Sequence, residues 1–331
     1  MSTPANPHTE QHIDATATWL ASPAALRLLD ADGYWPKWHG PWWQIRLLYE
    51  LGHAERIPAA AVSGLVAALD RLPLKHFPIH PEDTPPGTDP FRGSPCHCQL
   101  GGVMPVLAAC GVDVDAALPW VRPWFLRYQM ADGGLTCDND AYLVAGECPS
   151  SMVGTIAPFE AVLLATPRAF AEAEVRFLDG AAAFLLDREL RLGSSTVHNA
   201  SERDSARDWG RLCFPRFYFY DVLRGLSALV RWAEVRERRL PWARVAVVVT
   251  ALQAAHATGE VSLGRRPWEG ARTVLQSPDG TWQRRQPSQT TPLLEAVSQV
   301  GARSPALTAE WQRVSARLDA VLEPGRDDPG R

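Results

Sequence analysis

The sequence predicts an all-α fold, an α/α toroid of about five helical hairpins, from three observations. Apolar residues recur with helical spacing along most of the chain, and glycine or proline interrupts the pattern between the stretches. A turn-like segment recurs at residues 32–35, 129–135 and 276–282. Within each pair the first helix is rich in small and apolar residues and the second tends to carry charges on one side, which predicts inner and outer layers.

The breakers divide the chain into consecutive helices. Pro58 favours a helix start, and Gly52 and Gly111 favour helix ends, because proline suits the first turn and glycine the position after the last. Residues 73–95 contain seven prolines and cannot form a regular helix. The predicted helices cover residues 11–20, 23–29, 42–51, 58–72, 98–110, 114–130, 151–164, 167–190, 217–236, 241–256, 291–300 and 305–322.

The chain is expected to form a single toroid domain over residues 11–322, with tails at 1–10 and 323–331. At 331 residues and 46% hydrophobic content it can bury a large core. Residues 194–211 form a polar insertion with His198 and three acidic residues, and its role stays open.

Charge and hydropathy exclude some partners. The formal net charge is -4 and both signs are mixed along the chain, so we expect no nucleic-acid partner. The first twenty residues contain no apolar signal region, and no later run approaches the roughly 20 apolar residues of a membrane span. We therefore expect a cytoplasmic protein that does not span a membrane, with the oligomeric state left open.

Thiol and imidazole side chains lie where the predicted inner helices begin. They are His39, Cys96, His97, Cys98, Cys148 and Cys213. His39, Cys96, Cys148 and Cys213 are separated by 57, 52 and 65 residues, close to the repeat length, so a toroid would bring these groups to one mouth.

These groups predict a zinc or thiolate centre. Helix N-termini lower thiol pKa values, and thiolate and imidazole are the ligands that zinc prefers. The predicted metal ligands are Cys96, Cys98 and Cys148, with Cys213 in reserve and the fourth position left to His97, His39, water or substrate. The predicted catalytic residues are Cys98, His97 and His39. Buried cysteine is also a common core residue, so a structural role stays open.

Aromatic residues at the same helix starts predict an apolar cavity. The predicted substrate-binding residues are Trp38, Trp42, Phe217, Tyr218 and Tyr220. Such a wall favours a lipophilic small molecule, and packing between repeats is the alternative.

Two acidic segments resemble functional motifs. Asp113 and Asp115 open an outer helix, and helix capping is the preferred interpretation. The loop at residues 137–140 is either an Asx-rich turn or a segment that reaches the cavity mouth.

The recurring turn resembles the Gln-x-x-x-Gly-x-Trp pattern of the repeat family shared by squalene-hopene cyclases and the β subunits of protein prenyltransferases. The copy at Gln276, Gly280 and Trp282 matches in full, and Gln129 and Gly133 match in the second copy. The resemblance covers most of residues 25–320 and implies the toroid fold. It also implies an enzyme that acts on an isoprenoid or another lipophilic molecule, with zinc as the cofactor.

The chain departs from both branches of that family. The place of the cyclase acid motif reads Cys-His-Cys-Gln at 96–99. Of the prenyltransferase zinc ligands, Cys148 resembles the cysteine, while Gly146 and Tyr218 stand at the aspartate and histidine places. A metal-assisted hydrolase or lyase, and a toroid that binds a ligand or partner without catalysis, are the alternative functions.

Overall fold

The computed structural model describes residues 7–77 and 80–323, and this part of the chain is mostly helical. One antiparallel hairpin is formed by β1 (Arg272–Gln276) and β2 (Trp282–Pro287). Helices α1 to α15 run over Pro7–Leu20, Pro23–Ala31, Pro41–Glu50, Ala59–Asp70, Pro90–Gly93, His97–Ala109, Val114–Ala117, Val121–Tyr128, Met152–Leu164, Glu172–Asp187, Glu202–Ala206, Val222–Arg236, Trp242–Ala255, Pro292–Val297 and Pro305–Val321. The helical class is as predicted.

Side-chain caps fix several helix starts. Asp113 accepts a hydrogen bond from the Ala116 N–H at 3.1 Å, which confirms its capping role at α7. Asp221 caps α12 by accepting from the Arg224 N–H at 2.9 Å, and α12 therefore begins at Val222 rather than at residue 217.

Other boundaries differ from the prediction for identifiable reasons. The helix predicted over 114–130 is divided into α7 and α8 around Pro119, which lacks an N–H for a helical hydrogen bond. Residues 259–282, which lie between two predicted helices, contain strand β1, whose short length gave too little alternation to recognise. Residues 7–10 of the predicted N-terminal tail form the start of α1, whereas residues 1–6 and 324–331 lie outside the described residues.

The helices form a fully buried layer and a half-buried layer. Helix α6 is buried from His97 to Leu107, and α3 and α9 are buried along most of their lengths. Helix α15 instead buries residues at helical spacing, including Leu307, Trp311 and Leu318, and exposes its other side. No helix in the described ranges is long and apolar enough to cross a bilayer.

The buried helices contact one another in chain order. Helix α6 lies against α9 so closely that a Cβ on Gly101 would be 2.4 Å from the carbonyl carbon of Ala157. Arg46 on α3 donates from Nη1 to the Gly102 carbonyl at 2.9 Å, and Arg224 on α12 donates from Nε to Glu160 on α9 at 2.9 Å. These contacts order the buried helices as α3, α6, α9 and α12.

The recurring turn has one local geometry in all three copies. In each copy an aspartate carboxylate accepts the backbone N–H two residues later, at 2.8 Å for Asp32, 3.1 Å for Asp132 and 3.0 Å for Asp279. Gln129 and Gln276 also donate to the carbonyl four residues later, at 2.8 and 3.2 Å. The third copy joins the two strands rather than two helices.

Candidate metal centre

Three cysteine thiols from two segments meet at the N-terminus of α6. The sulfurs of Cys96, Cys98 and Cys137 all lie within 4.8 Å of one another, and Cys96 Sγ is 3.2 Å from Cys98 Sγ. Cys96 is the N-cap of α6 and Cys98 lies in its first turn, while Cys137 comes from the loop after α8. These three residues are called the thiol cluster below.

The donor atoms of the thiol cluster suit a soft metal ion. A tetrahedral zinc with Zn–S bonds of about 2.3 Å separates its sulfurs by about 3.8 Å, and the three sulfurs here need to move little to reach that spacing. Within the described residues no fourth histidine, cysteine or acidic ligand joins the group. The cluster could therefore hold a metal ion with one coordination position left for a small molecule.

Hydrogen bonds favour a thiolate in this cluster. Thiol hydrogen bonds from Cys137 and Cys98 hold the pKa of Cys96 well below its ordinary value. Sharing a hydrogen bond with a neighbouring thiolate raises the pKa of both Cys98 and Cys137. The Cys98 backbone N–H also donates to Cys137 Sγ at 3.3 Å, as expected for a free donor at a helix N-terminus. The hydrogen bonds thus favour the thiolate form of Cys96, and a metal ion held by all three sulfurs would displace the remaining thiol protons.

A lysine side chain faces the same cluster. Lys37 donates from Nζ to Tyr218 Oη at 3.1 Å, and Nζ lies 4.7 Å from the Tyr218 ring centre and 5.3 Å from that of Trp35. Burial lowers the pKa of Lys37, and the negative charge of the cluster partly opposes this effect. Lys37 is thus a buried amine held mainly by aromatic rings.

The thiol cluster lies in the wall of a cavity of about 390 Å³. Gln99 adds an amide beside the sulfurs, while Trp35 and Phe91 stack with ring centres 5.5 Å apart. The aromatic residues in the wall are Tyr34, Trp35, Phe77, Phe91 and Tyr218. The cavity wall thus combines apolar aromatic surface with the three sulfurs and a few polar side chains.

The β-hairpin packs against the rim of this cavity. Arg92, in the cavity wall, lies 3.7 Å from the centre of the Trp282 ring on β2. Arg284 on β2 lies 4.4 Å above the Phe91 ring and donates to Asp89 at 2.7 Å. The strand therefore contacts the segment that forms one side of the cavity.

His97, predicted as a catalytic residue and a possible fourth ligand, lies outside the thiol cluster, and both of its ring nitrogens are hydrogen-bonded within the fold. Its Nδ1 accepts from Trp124 Nε1 at 2.7 Å, so its Nε2 carries the hydrogen that is donated to Tyr142 Oη at 2.7 Å. Burial lowers its pKa to about 3, which keeps the ring neutral. Tyr142 also accepts from the Thr136 N–H at 3.4 Å, so His97 instead helps to position the loop that carries Cys137.

The other predicted ligands lie apart from the cluster, and Cys137 takes the place assigned to Cys148. Cys213 is fully buried with Sγ 3.6 Å from Asp221 Oδ2, and burial raises its pKa, so it remains a thiol. His39 stands outside the group as well, and burial lowers its pKa. Of the four residues separated by about one repeat length, only Cys96 belongs to the thiol cluster, so the structure does not bring the four together there.

One of the five predicted substrate-binding residues, Tyr218, lines the large cavity. Trp42 and Phe217 line a void of about 10 Å³ between Arg46 and Cys98. Trp38 is fully buried and stacks on Phe217 with ring centres 5.3 Å apart, and Tyr220 donates to the Leu190 carbonyl at 2.9 Å. Trp38 and Tyr220 are therefore packing residues.

The prediction missed Cys137 and Lys37, although the sequence carries a signal for each. Cys137 comes two residues after the second copy of the recurring turn, which delivers it to the start of the neighbouring helix. Lys37 follows the first copy, and it is one of only two lysines in a chain with 33 Lys and Arg residues. The position of each residue relative to the turn was the signal to use.

Comparisons with family models, with curated proteins and with solved structures find no match. The function therefore has to be argued from the geometry of the thiol cluster and its cavity. The Gln-x-x-x-Gly-x-Trp resemblance is confined to the turns at residues 129–135 and 276–282.

Proposed function

We propose that this chain is a zinc enzyme with the α/α toroid fold of the terpene-cyclase and prenyltransferase superfamily, acting on an isoprenoid or another lipophilic small molecule. The observation that carries this proposal is the position of the thiol cluster, three sulfurs in the wall of a largely aromatic cavity of about 390 Å³. Cys96, Cys98 and Cys137 would hold the metal, and the substrate would lie along the rings.

The helix contacts support the toroid. Helices α3, α6, α9 and α12 are neighbours in chain order, and the loop before α12 returns to α3. In that return contact Glu50 accepts from the backbone N–H groups of Arg216 at 2.6 Å and Phe217 at 2.9 Å. A chain of neighbouring buried helices whose last member returns to the first is the arrangement expected of a closed ring.

The ligand set favours group transfer over hydrolysis. Three thiolates and one Zn²⁺ carry a net charge of -1, so they leave the ion less able to ionise a bound water. The zinc sites that activate water commonly use three histidines, or two histidines and a glutamate. A thiolate-rich zinc is better suited to hold a deprotonated sulfur or a similar soft nucleophile. This charge argument makes a transferase the preferred class.

The side chains around the cluster would orient the substrate and exclude water. Phe77 and Phe91 offer apolar surface, while Lys37 and Tyr218 supply hydrogen-bond donors near the sulfur end. Gln99 can donate or accept beside the thiols. Apolar side chains would hold the body of the substrate while the polar side chains hold its reactive group against the nucleophile.

Metal content tests the centre directly. Protein purified under reducing conditions should contain about one equivalent of zinc, and Cys137→Ser should lose it because two thiolates bind zinc far more weakly than three. Cys148→Ser is the matched control and should keep the metal. Equal zinc loss in both variants, or no metal in the wild type, would refute the proposed ligand set.

Turnover tests the proposed reaction class. Zinc-loaded protein is incubated with isoprenoid diphosphates of two chain lengths and a small thiol acceptor, and products are followed by mass spectrometry. We expect a thioether product from the wild type and none from Cys98→Ser. Tight ligand binding without any product would favour the non-catalytic toroid instead.

A further inference from the structure

Lys37 is the cation in the cavity wall that has no acidic partner among the described residues. The other cation in the wall, Arg92, pairs with Asp32 at 2.9 Å. Lys37 donates to the neutral Tyr218 hydroxyl and forms no ion pair with a carboxylate in the described ranges. A buried ammonium without an opposite charge is unfavourable, so its partner has to come from the cavity side.

Apart from the thiol cluster, the groups around Lys37 supply no opposite charge. The ammonium lies over four aromatic rings, those of Tyr34, Trp35, Trp38 and Tyr218, at 4.7 to 5.6 Å from their centres. These rings are neutral and hold the side chain in place. An ammonium has three donors, and one of them is used by Tyr218, so the others remain for a ligand in the cavity.

We infer that Lys37 is a positioning residue that balances the charge of the metal–thiolate centre and thereby lets the centre bind an anionic fourth ligand. This inference rests on the metal site of the proposed function. With Zn²⁺ the three thiolates give -1, and Lys37 brings the pair to neutrality. A monoanionic ligand then brings the net charge to -1, whereas without Lys37 the same ligand would bring it to -2 in a buried site. Lys37 therefore makes the site selective for ligand charge.

The structure also fixes the position of the Lys37 ammonium relative to the cavity. Tyr218 Oη fixes the Lys37 ammonium at 3.1 Å, and both residues line the cavity with the three cysteines. An anion bound in this cavity would therefore share it with both the ammonium and the sulfurs that would hold the metal. An arginine, with its planar fork, keeps the charge but cannot reproduce the compact ammonium among the rings.

The test uses full-length protein loaded with Co²⁺, whose visible spectrum reports the fourth ligand, and compares thiocyanate, an anion, with neutral imidazole at a fixed pH. We expect Lys37→Met to weaken thiocyanate binding by about ten- to a hundredfold, the loss of one charged hydrogen bond, while imidazole affinity changes far less. Lys37→Arg should restore much of the thiocyanate affinity. The matched control is Lys75→Met. It removes the other lysine, whose Nζ donates to the Asp70 backbone carbonyl at 2.6 Å, and it should change the affinity for neither ligand.

Two results would overturn the inference. Unchanged thiocyanate affinity in Lys37→Met would show that Lys37 does not balance the centre, and an equal loss of both ligands would reduce its role to packing. If Lys37→Met does not fold, Lys37→Gln preserves a donor to Tyr218 and should show the same selective loss. Absence of cobalt binding in the wild type would instead refute the proposed metal centre, and the inference with it.

Discussion

Two of the buried polar regions in the described part of the chain differ in how their charges are balanced. In the charged network around Arg216, this residue binds Asp221 through two hydrogen bonds of 2.8 and 3.0 Å and also contacts Glu310, while Glu50 accepts its backbone N–H. In the thiol cluster, Lys37 has no carboxylate partner among the described residues. The first region is closed by its own side chains, and the second opens on a cavity.

The pKa values reflect this difference. Burial raises the pKa of Asp221, but the charge and hydrogen bonds of Arg216 more than offset it, so the net pKa is lowered and the pair stays ionised. In the thiol cluster Cys96 depends on hydrogen bonds from other thiols to hold its negative charge. The charges around Arg216 are balanced within the fold, so removing one partner would leave a buried charge unpaired, whereas Lys37 has no carboxylate partner among the described residues.

The largest effect is expected in the charged network. Arg216→Met leaves Asp221 and Glu310 buried without their cation, so we expect the free energy of unfolding to fall by about 3–5 kcal/mol in urea denaturation. Arg207→Met is the matched control. It removes an exposed pair with Asp204 and should cost about 1 kcal/mol or less. Equal effects in the two variants would contradict the structural role of the network.

The pH dependence of His97 comes next. Its pKa of about 3 in the folded protein lies below the value of roughly 6.5 in the unfolded chain. As the pH falls below 6.5, His97 is protonated in the unfolded chain but stays neutral in the folded protein. The free energy of unfolding of the wild type therefore decreases by about 1.4 kcal/mol per pH unit through this residue. His97→Gln should lack that slope between pH 6 and 4.

The same variant should be less stable at neutral pH by about 1–3 kcal/mol, because the Trp124 N–H and Tyr142 hydroxyl lose optimal partners. Urea denaturation at several pH values measures both effects. Parallel pH profiles for the wild type and His97→Gln would show that His97 is not held neutral. Loss of zinc with a preserved slope would argue for a ligand role after all.

The smallest effect is expected outside the cluster. His198, in the polar insertion, lies with Nε2 2.8 Å from Asp138 Oδ2, next to Cys137. The pair is partly exposed, so His198→Ala should reduce the free energy of unfolding by about 0.5 kcal/mol or less. Zinc affinity, measured by competition with a chelator, should change little. A large affinity loss would mean that the insertion holds the Cys137 loop more firmly than this contact indicates.

The sequence predicted the helical class because amphipathic spacing is local. It also identified Cys96 and Cys98 as candidate ligands, because both lie at the start of a helix that the local pattern predicts. The closed arrangement of the helices is not a local property, and it remains a proposal. Helix starts shifted where a cap such as Asp221 lies inside a predicted stretch, since apolar spacing alone cannot distinguish a capping loop from a first turn.

The third thiol could not be predicted by repeat spacing, because Cys137 belongs to a loop and Cys148 has better periodicity. His97 stands between two cluster cysteines in sequence, yet a helix turns its side chain by about 100° per residue away from theirs, toward Trp124. Residue type and spacing therefore predicted that thiols would cluster at a helix start, but they did not predict which residues form the cluster.

The most direct test of the central claim is X-ray absorption spectroscopy of the zinc-loaded wild type and of Cys148→Ser. We predict three sulfur ligands at about 2.3 Å and one lighter, exchangeable ligand in both proteins. Four sulfurs in the wild type and three in Cys148→Ser would return Cys148 to the centre. A spectrum without sulfur ligands would contradict a metal centre built on Cys96, Cys98 and Cys137.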